Sequence, residues 1–558
     1  MKSLRWQFLI ALVALVLVSV LLLTQQAPLP AIIAPEPVSG GVYTEALIGR
    51  PGRFNPLLDF YNPADQDVDR LLFSGLVRFD DKGQPQPDLA ESWGISRDAT
   101  IYNFALRPEV RWHDGEPLTS RDVLFTVEML RSPDLPIPAD LRAMWNQVEA
   151  VALDEHTVQF RLPEPFAPFL DYLSFGILPE HLLGEMSAAD LLNADFNLSP
   201  VGTGPYRFER LLIEDGRITG LSLAAFENYH LQPPFIEQFV FRYYPDAVSA
   251  LQAYREETVM GISQVAPDIL PEALAEPELN LYTGRLPKLG MVLFNLRDEE
   301  VSFLQEPAVR RALFEGLNRQ WMIDHLLDGQ AIQATGVIFP GTWAYYDGLQ
   351  SQAYDPDAAA KRLKEAGYVL ASDGVRAKDD LALAFDLLYP DDERHAALAE
   401  AMQADWKRIG VQVTLVPVDY AALISDHLEK HAFQAALVDL DFSGSPDPDP
   451  YPFWHQSEAR QGQNYGGWDD RQASEYLEQA RITADPAERK RFYQNFQIRF
   501  EEALPALPLF YPVYTYGVDA EVQGVRMGPL YRLSDRFLTV TDWFLLARQA
   551  AQPVTPQP

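Results

Sequence analysis

Along residues 71–123 the hydrophobic and polar positions switch repeatedly between strand and helix period. Leu76, Val77 and Phe79 form an apolar run, and Asp80-Asp81-Lys82-Gly83 follows with turn chemistry and a glycine where positive φ is tolerated. Residues 101–106 place Ile101, Asn103 and Ala105 on one face of an expected strand and Tyr102, Phe104 and Leu106 on the other. His113-Asp114-Gly115 marks a tight turn, and Thr119-Ser120-Arg121-Asp122 is a capping box opening a helix over Val123–Leu130. Farther on, Asp355-Pro356 caps a helix that Gly367 stops after Ala366. Ala396–Ile409 reads as helix and Val411–Leu415 as strand; Asp485-Pro486 opens a helix whose apolar stripe is Phe492, Phe496, Phe500 and Ala503. Strand-like and helix-like segments alternate along the chain, which predicts an α/β fold.

At 558 residues the chain exceeds one ordinary hydrophobic core, so two or three domains are expected. A net charge of −34 argues against nucleic acid as a partner, because phosphate binding needs cationic compensation. The complete absence of cysteine excludes disulfides, thiolate metal centres and cysteine nucleophiles. The nine histidines are scattered without ligand spacing, so neither a metal centre nor a cofactor is expected.

Lys2 and Arg5 precede an apolar run from Phe8 to Leu23 that is broken only by Ser19. A spanning helix takes about 20 apolar residues and a signal-peptide core about 7–15, so residues 1–24 read as a retained anchor or a signal peptide. No small-x-small cleavage site follows, which favours the anchor. Both readings place the bulk of the chain outside the cytoplasm. The Pro- and Ala-rich residues 25–40 read as a tether, and residues 549–558 as a disordered tail.

Several words of the sequence resemble those of the solute-binding proteins of peptide and nickel ABC importers. They include Leu89-Ala90-Glu91-Ser92-Trp93, Trp112-His113-Asp114-Gly115, Gly202-Thr203-Gly204-Pro205-Tyr206, Lys364-Glu365-Ala366-Gly367-Tyr368, Asp447-Pro448-Asp449-Pro450-Tyr451 and Asn464-Tyr465-Gly466-Gly467-Trp468. The resemblance runs over roughly residues 41–515. It implies a three-lobed, type II periplasmic-binding-protein-like α/β fold. Lobe I would comprise 41–73, 202–284 and 511–548, lobe II would be inserted at 74–201, and lobe III would span 285–510. It also implies a monomer that closes on a peptide or similar small polar solute and delivers it to ABC permease and ATPase subunits. No phosphate loop is present, so this chain cannot itself power transport.

Three segments are candidate ligand contacts. Residues 439–455 crowd Asp441, Asp447, Asp449, Tyr451 and Trp454 among four prolines, offering carboxylates to an ammonium and rings to apolar side chains. The same residues also suit a surface loop of Asp-Pro turns stapled down by its aromatics. Peptide-binding relatives carry a Trp and then an ammonium-binding Asp here, whereas this chain has Leu440 and Ser443 or Gly444. His395, after Leu388-Tyr389, suits a carboxylate; the alternative is a helix turn facing water. Phe294, Asn295, Trp343 and Tyr345 suit cleft walls, or else interdomain core. His113 and Asp114 are read as scaffold. A membrane-tethered sensor of the same fold and a secreted hydrolase are the competing functions; no G-x-S-x-G supports the latter.

Overall fold

The computed structural model describes residues 37–546 apart from 461, so the expected anchor at 1–24, most of the tether and the tail lie outside the described residues. Among the described residues no helix is long and apolar enough to cross a membrane. The organising element is a sheet of twelve strands among the described residues. The strand Ala506–Asp519 runs through its middle. One end of that strand pairs with Lys288–Phe294 and Ala331–Gln333, the other with Leu279–Arg285 and Gly261–Ile262.

The second half of the sheet shows why its strands read as continuous apolar runs. In Lys288–Phe294, Leu289, Met291 and Leu293 pack into one core, while Val292 and Phe294 pack into another on the opposite face. Ala435–Asp441 divides in the same way, with Ala435 and Leu437 on one side and Ala436, Val438 and Leu440 on the other. Alternate side chains face opposite layers, and both layers are covered by helices, so polar alternation is lost. The helix Glu393–Arg408 covers one face through Leu398, Met402 and Trp406. Pro486–Ala503 covers the other through Tyr493, Phe496 and Phe500.

Between Val42–Ile48 and Tyr206–Glu214 the chain leaves the large sheet and builds a separate four-stranded antiparallel sheet from residues 90–161. Ile101–Leu106 forms as the alternation predicts, with Tyr102, Phe104 and Leu106 on the buried face. Thr119 and Asp122 form the predicted capping box, but the helix is Ser120–Arg131, because the box residues themselves supply its first turn. Similarly, Asp392 caps a helix that starts at Glu393 rather than Ala396, and the next strand is Gln412–Val418. His113 is scaffold: its ring bridges Gly202 N (3.1 Å) and Gly204 O (3.0 Å), and burial pushes its pKa down to about 4. An ion network absent from the sequence reading sits in the first half of the fold. There the buried Arg536 guanidinium pairs with Glu45 (2.7 Å) and Asp67, while Tyr43 and Tyr516 also bond Glu45.

Candidate ligand-binding site

Within the loop, Asp447 and Asp449 turn their carboxylates inward. Asp447, only 8% exposed, pairs with Arg489 and accepts from Tyr493 Oη at 3.2 Å. Asp449 accepts from Arg481 Nε at 2.7 Å, and burial raises its pKa despite that arginine. Both carboxylates also accept backbone N–H groups two residues on, Asp447 from Asp449 (3.1 Å) and Asp449 from Tyr451 (3.2 Å). The prolines forbid regular pairing, so these Asx turns satisfy the backbone locally. Tyr451 stacks on His455 at 4.0 Å and lies under the Arg481 guanidinium at 3.8 Å. Trp454 is buried against Phe500 and Trp468.

The loop is fastened to the four-stranded insertion. Asp171 Oδ2 accepts from Ser445 Oγ and from Asp447 N, both at 2.6 Å. Burial first, and the Asp447 carboxylate second, raise the Asp171 pKa to about 8. A gap of about 60 Å³ remains between the two surfaces, lined by Tyr102, Asp171, Trp343 and Arg489 among others. The Trp343 N–H donates to Lys82 O at 2.9 Å across it.

The other sequence candidates lie apart from this gap. Phe294 is fully buried against Phe385. Asn295 donates its amide to His431 O (3.0 Å) and Phe433 O (2.9 Å). Tyr345 is buried with its hydroxyl on Thr335 Oγ1 at 2.8 Å. His395 does not face water: it is 5% exposed, held by Asp392 Oδ2 (2.5 Å) and Asp439 Oδ2 (3.4 Å). Burial works against its charged form, but hydrogen bonds to Asp439 and Asp392 outweigh it and raise the pKa. Asp441 is exposed at the end of its strand and pairs with Lys288 at 3.2 Å.

A much larger cavity, about 740 Å³, opens between residues 70–88 and the carboxyl-terminal segment 526–542. That volume lies inside the range of about 300–1,000 Å³ usual for small-ligand sites. A side chamber of about 40 Å³ shares Arg70, Arg78 and Asp535 with it and reaches Gly444 and Pro446 of the loop. Sequence reasoning missed this place because its two walls, residues 70–88 and 526–542, are about 440–470 positions apart in number.

The family model for bacterial extracellular solute-binding proteins, family 5 (its middle region), matches residues 84–463, more than half of the chain. The chain belongs to this family. Within the family it is similar to the dipeptide-binding protein of Escherichia coli (strain K12), 27% identical over 518 residues that cover 88% of this chain and 94% of that protein. NikZ from Campylobacter jejuni, solved in complex with Ni(L-His), is 26% identical with a TM-score of 0.63, covering 92% of this chain and 100% of that one. HbpA2 from Haemophilus parasuis has the same fold, with a TM-score of 0.78 at 21% identity over 91% of this chain and 100% of that one. The mixed α/β architecture is thus that of family 5 solute-binding proteins.

Proposed function

We propose that this protein is the extracytoplasmic binding component of an ABC importer, capturing peptides or a similar small polar solute for a membrane permease and its ATPase. The observation that carries the reading is the likeness to a dipeptide-binding protein along 88% of the chain. The fold supports a hinged mechanism. The two halves of the large sheet are joined at Leu286-Pro287, between consecutive strands, and again where Ala506–Asp519 passes from one set of partners to the other. These crossings are adjacent, since Leu286 N donates to Pro512 O at 2.9 Å. Rotation about two neighbouring crossings closes one half on the other, and a ligand holds the closed form by its higher affinity for it.

In this reading the lobes are 41–73 with 202–284 and 511–548, then 74–201, then 285–510, and the basic-then-apolar amino terminus exports and tethers them. Trp343, which lines the gap between the loop and the insertion, is the sequence candidate that serves as a wall in this reading. The test is a thermal-shift screen of the full chain against di- and tripeptides, sugars, opines and nickel chelates. Peptide at 100 times its Kd adds about 2.7 kcal/mol of stability. Stabilisation by sugars alone would refute the peptide reading.

A further inference from the structure

Where the insertion meets the second half of the fold, the hydrogen bonds converge on one acid. Among the described residues, Asp171 Oδ2 accepts from Ser445 Oγ and Asp447 N at 2.6 Å each, and Trp343 N donates to Lys82 O at 2.9 Å. Asp171 stands on the turn Ala167–Leu173 of the insertion, and its donors stand on the Asp-Pro loop. In the hinged reading the two surfaces belong to different lobes, so these bonds exist only while the lobes are together.

The guanidinium on that side is already engaged. Arg489 pairs with Asp447 and donates to Ala480 O at 2.8 Å and Tyr493 Oη at 3.0 Å. An ionised Asp171 sets a second negative charge beside Asp447; a protonated one keeps Oδ2 as the acceptor and carries its proton on Oδ1. Burial first, and the Asp447 carboxylate second, raise its pKa to about 8. Three tyrosines face the same place: Tyr172 beside it, Tyr102 from the insertion's sheet and Tyr531 from the carboxyl-terminal segment. Burial holds the first two at about 12 and raises the third, so all stay neutral. Asp140 is exposed beyond Tyr172, and Asp449 is tied to Arg481 within the second half whether the lobes are open or closed.

We propose that Asp171 is a proton-operated latch between the lobes: closure takes up one proton from solvent at its carboxyl group, and loss of that proton releases the loop. This rests on the hinged, solute-binding reading above and adds what regulates it. Opening returns the carboxyl group to water, where it ionises near pH 4. Closure, and solute affinity with it, should weaken as pH rises from about 4 to about 8, by up to about tenfold per unit.

The hinge can be read without a ligand. The chain has no cysteine, so Glu128→Cys on the insertion and Glu475→Cys in the second half, both exposed positions, carry a dye pair in the full chain. Energy transfer should change between pH 5.5 and pH 9. It should hold its pH 5.5 value when Asp171→Asn is added, because the amide stays neutral and keeps an acceptor oxygen. Ser445→Ala removes one donor and should weaken closure while leaving the pH dependence in place. In calorimetry with Ala-Ala, Kd should rise about 10-fold from pH 5.5 to pH 7, and not with Asp171→Asn. Transfer that ignores pH, or follows it equally with Asp171→Asn, overturns the latch; Ala-Ala binding then leaves the peptide reading standing. A pH response lost with Asp171→Asn in a protein that no peptide binds keeps the latch and removes the peptide reading. Neither pH response nor peptide binding overturns both.

Discussion

The Asp-Pro loop and the junction cavity are opposites in how their charges are used. Over residues 445–455 every carboxylate is bonded within the protein: Asp447 to Arg489, Asp449 to Arg481 and both to backbone N–H groups. In the cavity the Arg78 guanidinium makes one hydrogen bond, from Nε to Pro87 O at 3.3 Å. A ligand is recognised by groups with unspent hydrogen-bonding capacity, so a high density of acids and aromatics in sequence is a poor guide to where it sits.

The largest effect expected is on the loop. Arg489→Leu leaves the Asp447 carboxylate buried without a counter-charge and should cost about 3–5 kcal/mol in urea denaturation. Asp447→Ala strands Arg489 and should also destabilise the unliganded protein. An unchanged midpoint for either would mean the loop's carboxylate is available to a ligand after all. Next comes the fastening of the loop by Asp171, whose pKa is raised to about 8. The folded form keeps a proton that the unfolded chain releases near pH 4, so stability should fall as pH rises from about 4 to about 8. Asp171→Asn should flatten that slope in chemical denaturation; a parallel slope would remove Asp171 as its source. Tyr451→Ala removes a ring from beneath Arg481 and should cost about 0.5–1 kcal/mol, the scale of an exposed cation–π contact. The smallest effect is in the cavity: Arg78→Gln should change stability by no more than about 0.5 kcal/mol, as for a surface substitution.

Much of the scaffold was legible in the residues themselves. The alternation at 101–106 and the capping words at Thr119, Asp355 and Asp485 rest on local rules, and each element forms there. The buried pairing of Arg489 had a signal that went unread. Arg489, Tyr493, Phe496 and Phe500 recur at helical spacing on one buried face, and a cation in that stripe demands an anion across from it. Asp171 and the arginine cavity had none, because their partners are remote in sequence: Asp171 meets Ser445, and Arg70 and Arg78 meet residues 526–542. Trp454 and Phe294 look like cleft walls in sequence but are core, since a strand buried on both faces and a stapled loop use the same residue types as a pocket.

The contrast between the two regions is decided by one calorimetric comparison with Ala-Ala as ligand. Tyr451→Ala is expected to leave Kd within about twofold. A large loss with Tyr451→Ala would place the ligand on the Asp-Pro loop and contradict the loop's role as scaffold.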